Sequence, residues 1–414
     1  LISQFLCRRT NHRKDGFGGE SLENRAKFPL DIVRGIRQST SSDFIIIFRL
    51  SLLDLVEGGL NWQECLQLAT WLEQAGATIL NSGIGWHEAR VPTIATSVPR
   101  GAFVQPTRLL KEANVTALPL VSTNRINNPD TAESILASGA SDLVSMARPF
   151  LADPDFVTKA QEGRANEINT CIACNQACLD HAFLGKTASC LVNPRACHET
   201  QVSLDPLPES ERLSLGVIGA GPAGCAFAIA AAQKGHKVTL YDAQSSIGGQ
   251  FHMAKRVPGK EEFHETLRYF EVQLAKHGVR LEMNTSISVD DMAQDTSTQK
   301  WIVATGVDPR DAKIPGSEGN PNVFSYIDVL KHNAMVGDKV AIIGAGGIGF
   351  DVAEFLLHPG DDGGKDKRAN DVSIEEWWDE WGVDPTNKVA GGLRKDDDTS
   401  KDHSSSSSSK PTRQ

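Results

Sequence analysis

The sequence predicts an α/β protein: the C-terminal half of a (β/α)8 barrel, then a cysteine-rich segment, then a doubly wound, Rossmann-like region. Three observations carry that expectation. Four short apolar runs in the first third alternate with helical patterns, four cysteines cluster in one later stretch, and two glycine-rich loops each follow an apolar run and open a helix. With 414 residues the chain has room for two or three domains, since single cores usually stop growing at ~250–300 residues. Its 40% hydrophobic and 23% charged residues are globular composition. A formal charge of −10 argues against nucleic acid as the main partner, because phosphate binding needs a basic face. No run of ~18 apolar residues occurs, which argues against a membrane-spanning helix.

Residues 1–165 read as the partial barrel. Phe44–Ser51, Thr78–Ile84, Leu118–Asn124 and Leu143–Pro149 are apolar throughout, as expected of parallel strands buried on both faces. Between the first two, Trp62–Gln74 places Cys65, Leu68, Ala69 and Leu72 on one helical face, and Gly76 ends the helix. Strand and helix alternating at this rhythm give right-handed βαβ units, and four such units make half of an eight-fold barrel. Leu1 is not an initiator Met and no signal segment follows it, so earlier strands are expected upstream.

Residues 166–204 form the cysteine segment, with Asp205–Pro208 as the expected linker. Cys171, Cys174, Cys178 and Cys190 give the spacing C-x2-C-x3-C-x11-C. Three closely spaced thiolates plus a later fourth can wrap a cubane iron–sulfur cluster, one Cys to each iron. A structural zinc would favour two symmetrical C-x2-C knuckles, so the uneven spacing points to the cluster, with zinc or four free thiols as alternatives. Cys7, Cys65, Cys197 and Cys225 lack partners at ligand spacing and read as packing residues.

Residues 213–358 read as the dinucleotide-binding region. Gly219, Gly221 and Gly224 follow the apolar run Leu213–Ile218 and open a helix at Cys225–Gln233, and the next run, Lys237–Tyr241, ends at Asp242. The first glycine makes the turn, the second admits the pyrophosphate to the backbone, and the third lets helix and strand pack closely, while the acid bonds a ribose. Gly248, Gly249 and Gln250 resemble a second close backbone approach of flavin disulfide-reductase-like proteins, and Trp301–Gly306 resembles the return strand of the same group. Gly344, Gly346 and Gly349 repeat the loop after an expected apolar strand, Lys339–Ile343, and open a helix at Phe350–Leu357. Two such loops fit an FAD site with a nicotinamide site inserted into it. Residues 359–414, with Trp377, Trp378 and Trp381 and the run Ser404–Ser409, read as an irregular and largely disordered tail.

These pieces in this order resemble a family. Asn11–Phe28 resembles the old yellow enzyme signature, and Gly83–Thr96 and Cys171–Glu199 resemble bacterial-type 2,4-dienoyl-CoA reductase (NADPH), over the stretch from Leu1 to about Leu393. Trimethylamine dehydrogenase shares the layout, but Trp86-His87-Glu88-Ala89-Arg90 favours the reductase. The resemblance implies FMN on the barrel, with Arg49 near its ring and Arg125, Ala147 and Arg148 at its phosphate, where barrels usually hold phosphates. It implies His87 at the substrate carbonyl, FAD on the first glycine loop, NADP(H) on the second, and a 4Fe–4S cluster relaying electrons toward an unsaturated acyl-CoA. It also implies a Tyr proton donor upstream of Leu1, since Tyr241, Tyr269 and Tyr326 all lie beyond the barrel. A cytoplasmic location is the corresponding expectation, and nothing in the sequence addresses the oligomeric state. A related NADH:flavin oxidoreductase or amine dehydrogenase, or an inactive fragment that at most binds a dinucleotide or cluster, are the competing functional readings.

Overall fold

The structure, a computed structural model, describes residues 2–310, 313–357 and 373–394. The chain divides into two compact units. One runs to Pro149 and takes back the segment 373–394; the other begins at Phe150 and is described through Leu357.

In the first unit, β1 (Ile47–Leu53), β2 (Ile79–Ile84), β3 (Leu120–Ser122) and β4 (Leu143–Val144) form a parallel sheet in the order β1-β2-β3-β4. The register pairs Ile47 with Ile79, Leu80 with Leu120 and Val121 with Leu143. Helices Trp62–Ala75, Gln105–Glu112 and Pro129–Ala137 connect successive strands. The first of them has a reciprocal N-terminal cap. Asn61 Oδ1 accepts from the Glu64 amide at 2.9 Å, and the Asn61 amide donates to Glu64 Oε2 at 3.2 Å. It stops at Gly76, whose φ of 102° lies in the left-handed region. Phe48, Leu50 and Leu52 of β1 are buried with Leu68, Leu72, Leu80 and Leu120. Ile47, on the other face of β1, is exposed. The expectation of strands buried on both faces is therefore corrected for the first half of β1, where Ile47 and Arg49 are exposed, whereas all three residues of β3 are buried.

The segment 373–394 departs from the expected disordered tail. Ser373 caps a helix at Ile374–Glu380, and Trp377 and Trp378 are buried with Leu53, Ile84, Val98 and Phe103. Trp378 Nε1 donates to the Ala102 carbonyl at 3.1 Å. The Asn387 amide donates to the carbonyls of Leu52 and Leu60, both at 3.1 Å, and the Leu55 amide donates to the Gly391 carbonyl at 2.8 Å. Aromatic burial plus satisfied backbone groups offsets the ordering cost that a polar sequence alone suggests. Ser404–Ser409 lies outside the described residues.

In the second unit, β5 (Ser214–Ile218), β6 (Lys237–Asp242), β7 (Arg280–Met283) and β8 (Lys300–Val303) form a parallel sheet in the order β7-β6-β5-β8. The reversal of direction at β5 is the switch point where doubly wound sheets place ligands. Leu215, Val217 and Leu240 pack against Ala228 and Leu274 from helices Pro222–Gln233 and Phe263–Lys276. Two expectations change here. Lys339–Ile343 forms no strand, and Ile343 is 78% exposed, because no strand among the described residues pairs with it. Asp205–Pro208 is not the boundary: the units part at Pro149, and the Leu207 amide donates to the Lys234 carbonyl within the second unit.

Candidate functional site

The first glycine loop is built as a cradle. Gly219 leaves β5 with φ 103°, and a Cβ there would stand 2.4 Å from the Ala304 carbonyl oxygen at the end of β8. A Cβ on Gly224 would lie 1.9 Å from the Gly219 oxygen, so that position is closed by the loop's own backbone. Gly221 differs from both, because a Cβ there meets nothing within 4 Å. It is the open face, at the N-terminus of helix Pro222–Gln233, where unpaired amides and the helix dipole favour an anion. Gly249 flanks it, with its own Cβ position 3.0 Å from Gly221 Cα, and the Gly248 amide donates to the Ala220 carbonyl at 2.8 Å. Asp242 stands where the motif requires it and also braces the loop: its Oδ2 accepts from the Ala220 amide at 2.6 Å and its Oδ1 from the Gln244 amide at 2.7 Å. Gln250 Nε2 reaches the Val307 carbonyl at 3.2 Å.

The second loop repeats the local geometry. Gly344 has φ 112°, a Cβ on Gly349 would lie 2.1 Å from the Gly344 oxygen, and Gly346 has nothing within 4 Å. Helix Gly347–Leu357 starts there.

The four cysteines sit in a segment of irregular backbone. Ala173 and Asn175 take left-handed φ values, and a single wide turn spans Gln176–Asp180. Burial pushes the Cys190 thiol up to about 11, and proximity to Cys171 and Cys174 adds to the rise. Burial likewise raises Cys174, with Cys171 and Cys178 acting in the same direction. The four thiols therefore feel one another. Among the described residues, however, no group of three or more His, Cys, Asp or Glu side chains stands at metal-holding separations. The all-sulfur donor set suits an iron–sulfur cluster chemically, and metal would have to displace the thiol protons on binding.

In the first unit the C-terminal ends of the strands carry the remaining candidates. His87 is exposed at the start of the long loop after β2. Asn124 and Arg125, after β3, both have positive φ, at 70° and 53°. Three side chains from this end hold the loop after β2. Asn124 Nδ2 donates to the Thr93 carbonyl at 3.1 Å, Arg125 Nε to Val98 at 2.7 Å, and Arg148 Nη2 to Ile94 at 2.8 Å. The two arginines thus have a structural task in addition to any phosphate. Ala147 is exposed beside Arg148. Arg49, in β1 opposite Asn81, lies on the open face of the sheet with Ile47.

One buried residue in this region escaped the sequence reading. Asp54, 2% exposed, follows β1 directly and accepts from Trp86 Nε1 at 2.9 Å and from the Leu60 amide at 2.7 Å. Burial raises its pKa above the ordinary aspartate value. Through Trp86 it fixes the backbone that leads into His87. Only its position just past an apolar run hinted at it, because at the C-terminal end of a barrel strand a carboxylate is a site candidate.

Residues 1–167 match the family model of the NADH:flavin oxidoreductase / NADH oxidase family, and residues 214–381 match that of pyridine nucleotide-disulphide oxidoreductases. Two domain models thus match in succession, one of flavin oxidoreductases and one of pyridine nucleotide oxidoreductases. It is 37% identical to a metal reductase of Desulforamulus reducens over 87% of this chain and 53% of that protein. It is 36% identical to an NADH oxidase of Thermoanaerobacter brockii over 87% of this chain and 55% of that one. A solved 2-naphthoyl-CoA reductase complex with 2-naphthoyl-CoA matches with a TM-score of 0.82 at 35% identity, covering 86% of this chain and 54% of the other. The chain thus spans about half the length of the relatives it matches. The first family model covers the β1–β4 unit with its arginines, and the second covers both glycine loops. No helix among the described residues is long and apolar enough to cross a membrane.

Proposed function

We propose that this chain is the cofactor-holding part of a flavoenzyme that reduces a C=C bond conjugated to the carbonyl of an acyl-CoA thioester, with NAD(P)H as electron source. The observation that carries the reading is Gly221: an open backbone face at a helix N-terminus, flanked by Gly249 and rigid on both sides at Gly219 and Gly224. The chemistry supplied by the bound groups is hydride acceptance for FAD, single-electron carriage for a 4Fe–4S cluster, and hydride delivery to the C=C bond for FMN. The chain's own residues hold and aim them. Gly219, Gly221, Gly224, Asp242, Gly249 and Gln250 would take FAD, and Gly344, Gly346 and Gly349 the nicotinamide dinucleotide, which we read as NADP(H). Cys171, Cys174, Cys178 and Cys190 would hold the cluster. Arg125, Ala147 and Arg148 would take the FMN phosphate, with Arg49 near its ring, on a sheet we read as the C-terminal half of a (β/α)8 barrel. His87, oriented through Trp86 and Asp54, would donate a hydrogen bond to the thioester oxygen as negative charge develops there. The likeness to a reductase solved with an aryl-CoA thioester supports this substrate class.

A second reading has its own observation. The unpaired, exposed run before Gly344 favours a unit that binds FAD or a cluster without turning over NAD(P)H. Anaerobic purification of the chain separates the two. Both flavins near one per chain, with about four irons and four sulfides, support the first. FAD alone, or iron and sulfide without flavin, supports the second. A colourless protein sinks both, and one zinc per chain sinks the cluster assignment.

A further inference from the structure

The two glycine loops are joined by a short, built connection within the second unit. It starts at Gly248 and Gly249, which press on Ala220 and Gly221, and continues into helix Phe251–Ala254. Met253 and Val257 on this stretch are buried together with Val352 and Leu356 of the second loop's helix and with Val329 and Leu330. The Arg256 guanidinium lies 4.9 Å from the Phe355 ring centroid. It also donates to the Leu330 carbonyl and, at 2.6 Å, to Asn333 Oδ1. Just beyond, Lys260 Nζ meets both Asp351 oxygens at 2.6 Å. Asp351 sits in the second turn of the helix whose N-terminus is the second loop. A carboxylate so close to an anion site disfavours the anion unless it is neutralised, and Lys260 neutralises it.

We propose that Lys260 and Asp351, backed by Arg256 on Phe355, are positioning residues that couple dinucleotide occupancy of the second glycine loop to FAD occupancy of the first. The inference rests on the reading that the first loop takes FAD and the second a nicotinamide dinucleotide. A pyrophosphate on the second helix repositions Asp351 and, through Lys260, the segment whose far end is the Gly248–Gly249 wall. Coupling of this kind is reciprocal: each ligand changes the other's affinity by the same factor.

The test uses the full chain stripped of flavin and titrated with FAD, with and without saturating NADP⁺, whose oxidised state prevents hydride transfer. The expected ratio of the two FAD dissociation constants is at least about fivefold, the lower end for coupled sites. Lys260→Ala should bring that ratio close to one while FAD affinity without NADP⁺ stays within about threefold, since a partly exposed pair contributes little on its own. Lys260→Asp combined with Asp351→Lys, which restores an opposite-charge pair, should recover the ratio. A ratio of one in the unmodified chain, or an unchanged ratio in Lys260→Ala, overturns the coupling and leaves the FAD assignment standing. A chain that binds no FAD overturns the assignment, and the coupling with it.

Discussion

The two glycine loops share a motif and differ in their walls. Both start with a glycine at strongly positive φ, both close the third glycine against the first one's carbonyl, and both leave the middle glycine open. The first loop, however, follows a strand paired on both sides, and Gly219 is boxed in by Ala304 while Gly249 flanks Gly221. The second follows an unpaired run, and neither Gly344 nor Gly346 has any neighbour at its Cβ position. The residue after the motif shows the same contrast: Cys225 is fully buried, and Phe350 is 68% exposed. Loop shape is thus encoded locally, by glycines within six positions of one another. The walls that make a loop into a site come from strands far along the chain.

The largest effect expected from this contrast is on flavin. Gly221→Val has room in the unliganded protein, so the fold should hold while the pyrophosphate loses its approach to the backbone. Losing two charge-assisted amide bonds predicts a drop in FAD affinity of about a hundredfold or more. Gly346→Val should leave FAD content unchanged. If flavin survives Gly221→Val at full occupancy, the open face of the first loop is not where FAD binds.

Next comes stability. Gly224→Ala forces a methyl into the Gly219 carbonyl, in a loop already crowded by Ala304 at the Cβ positions of both glycines. Overpacking of this kind costs about 1–3 kcal/mol, and chemical denaturation of the second unit should show it. Gly349→Ala makes an equally short contact, but Gly344 has open space to move into, so less than half that loss is expected. Equal losses at the two positions would mean that the second loop is held as firmly as the first.

Thiol chemistry probes the same wall. Burial pushes the Cys225 thiol up to about 12, with Asp242 adding to the rise, and its Sγ lies 3.2 Å from the Ala220 carbonyl. At pH 8 only ~10⁻⁴ of it is thiolate, so iodoacetamide should pass it over while modifying the exposed Cys197. Reactivity should appear as pH rises toward 12 or as the unit unfolds. Labelling of Cys225 at the rate of Cys197 at pH 8 would show that the first loop opens in the native protein.

What could be read from the sequence follows the same division between local and distant causes. The helix from Trp62 was legible because its apolar stripe and the Gly76 that ends it are both local to it. The first glycine loop was legible because turn, open face and packing contact are each fixed by one glycine. The segment 373–394 was not, since Trp378 takes its partner from Ala102 and Asn387 from Leu52 and Leu60. No local pattern announces a buried asparagine whose amide satisfies one carbonyl of β1 and another in the loop after it, hundreds of positions away. Lys339–Ile343 failed in the opposite sense. It has β composition, but a strand exists only when another strand supplies its hydrogen bonds.

The smallest expected effect is at Phe350. Its ring occupies the first turns of helix Gly347–Leu357, mostly in solvent, at the motif position where the first loop buries Cys225. Phe350→Ser therefore removes little buried area, and substitutions on an open surface usually shift stability by no more than about 0.5 kcal/mol. The matched change on the other loop, Cys225→Phe, adds a ring to a closed site and should cost about 1–3 kcal/mol. Thermal melts of the two variants beside the parent chain measure the difference directly. A loss at Phe350→Ser as large as that at Cys225→Phe would mean that this helix face is covered in solution. The second loop would then possess a wall, and the contrast between the two loops would disappear.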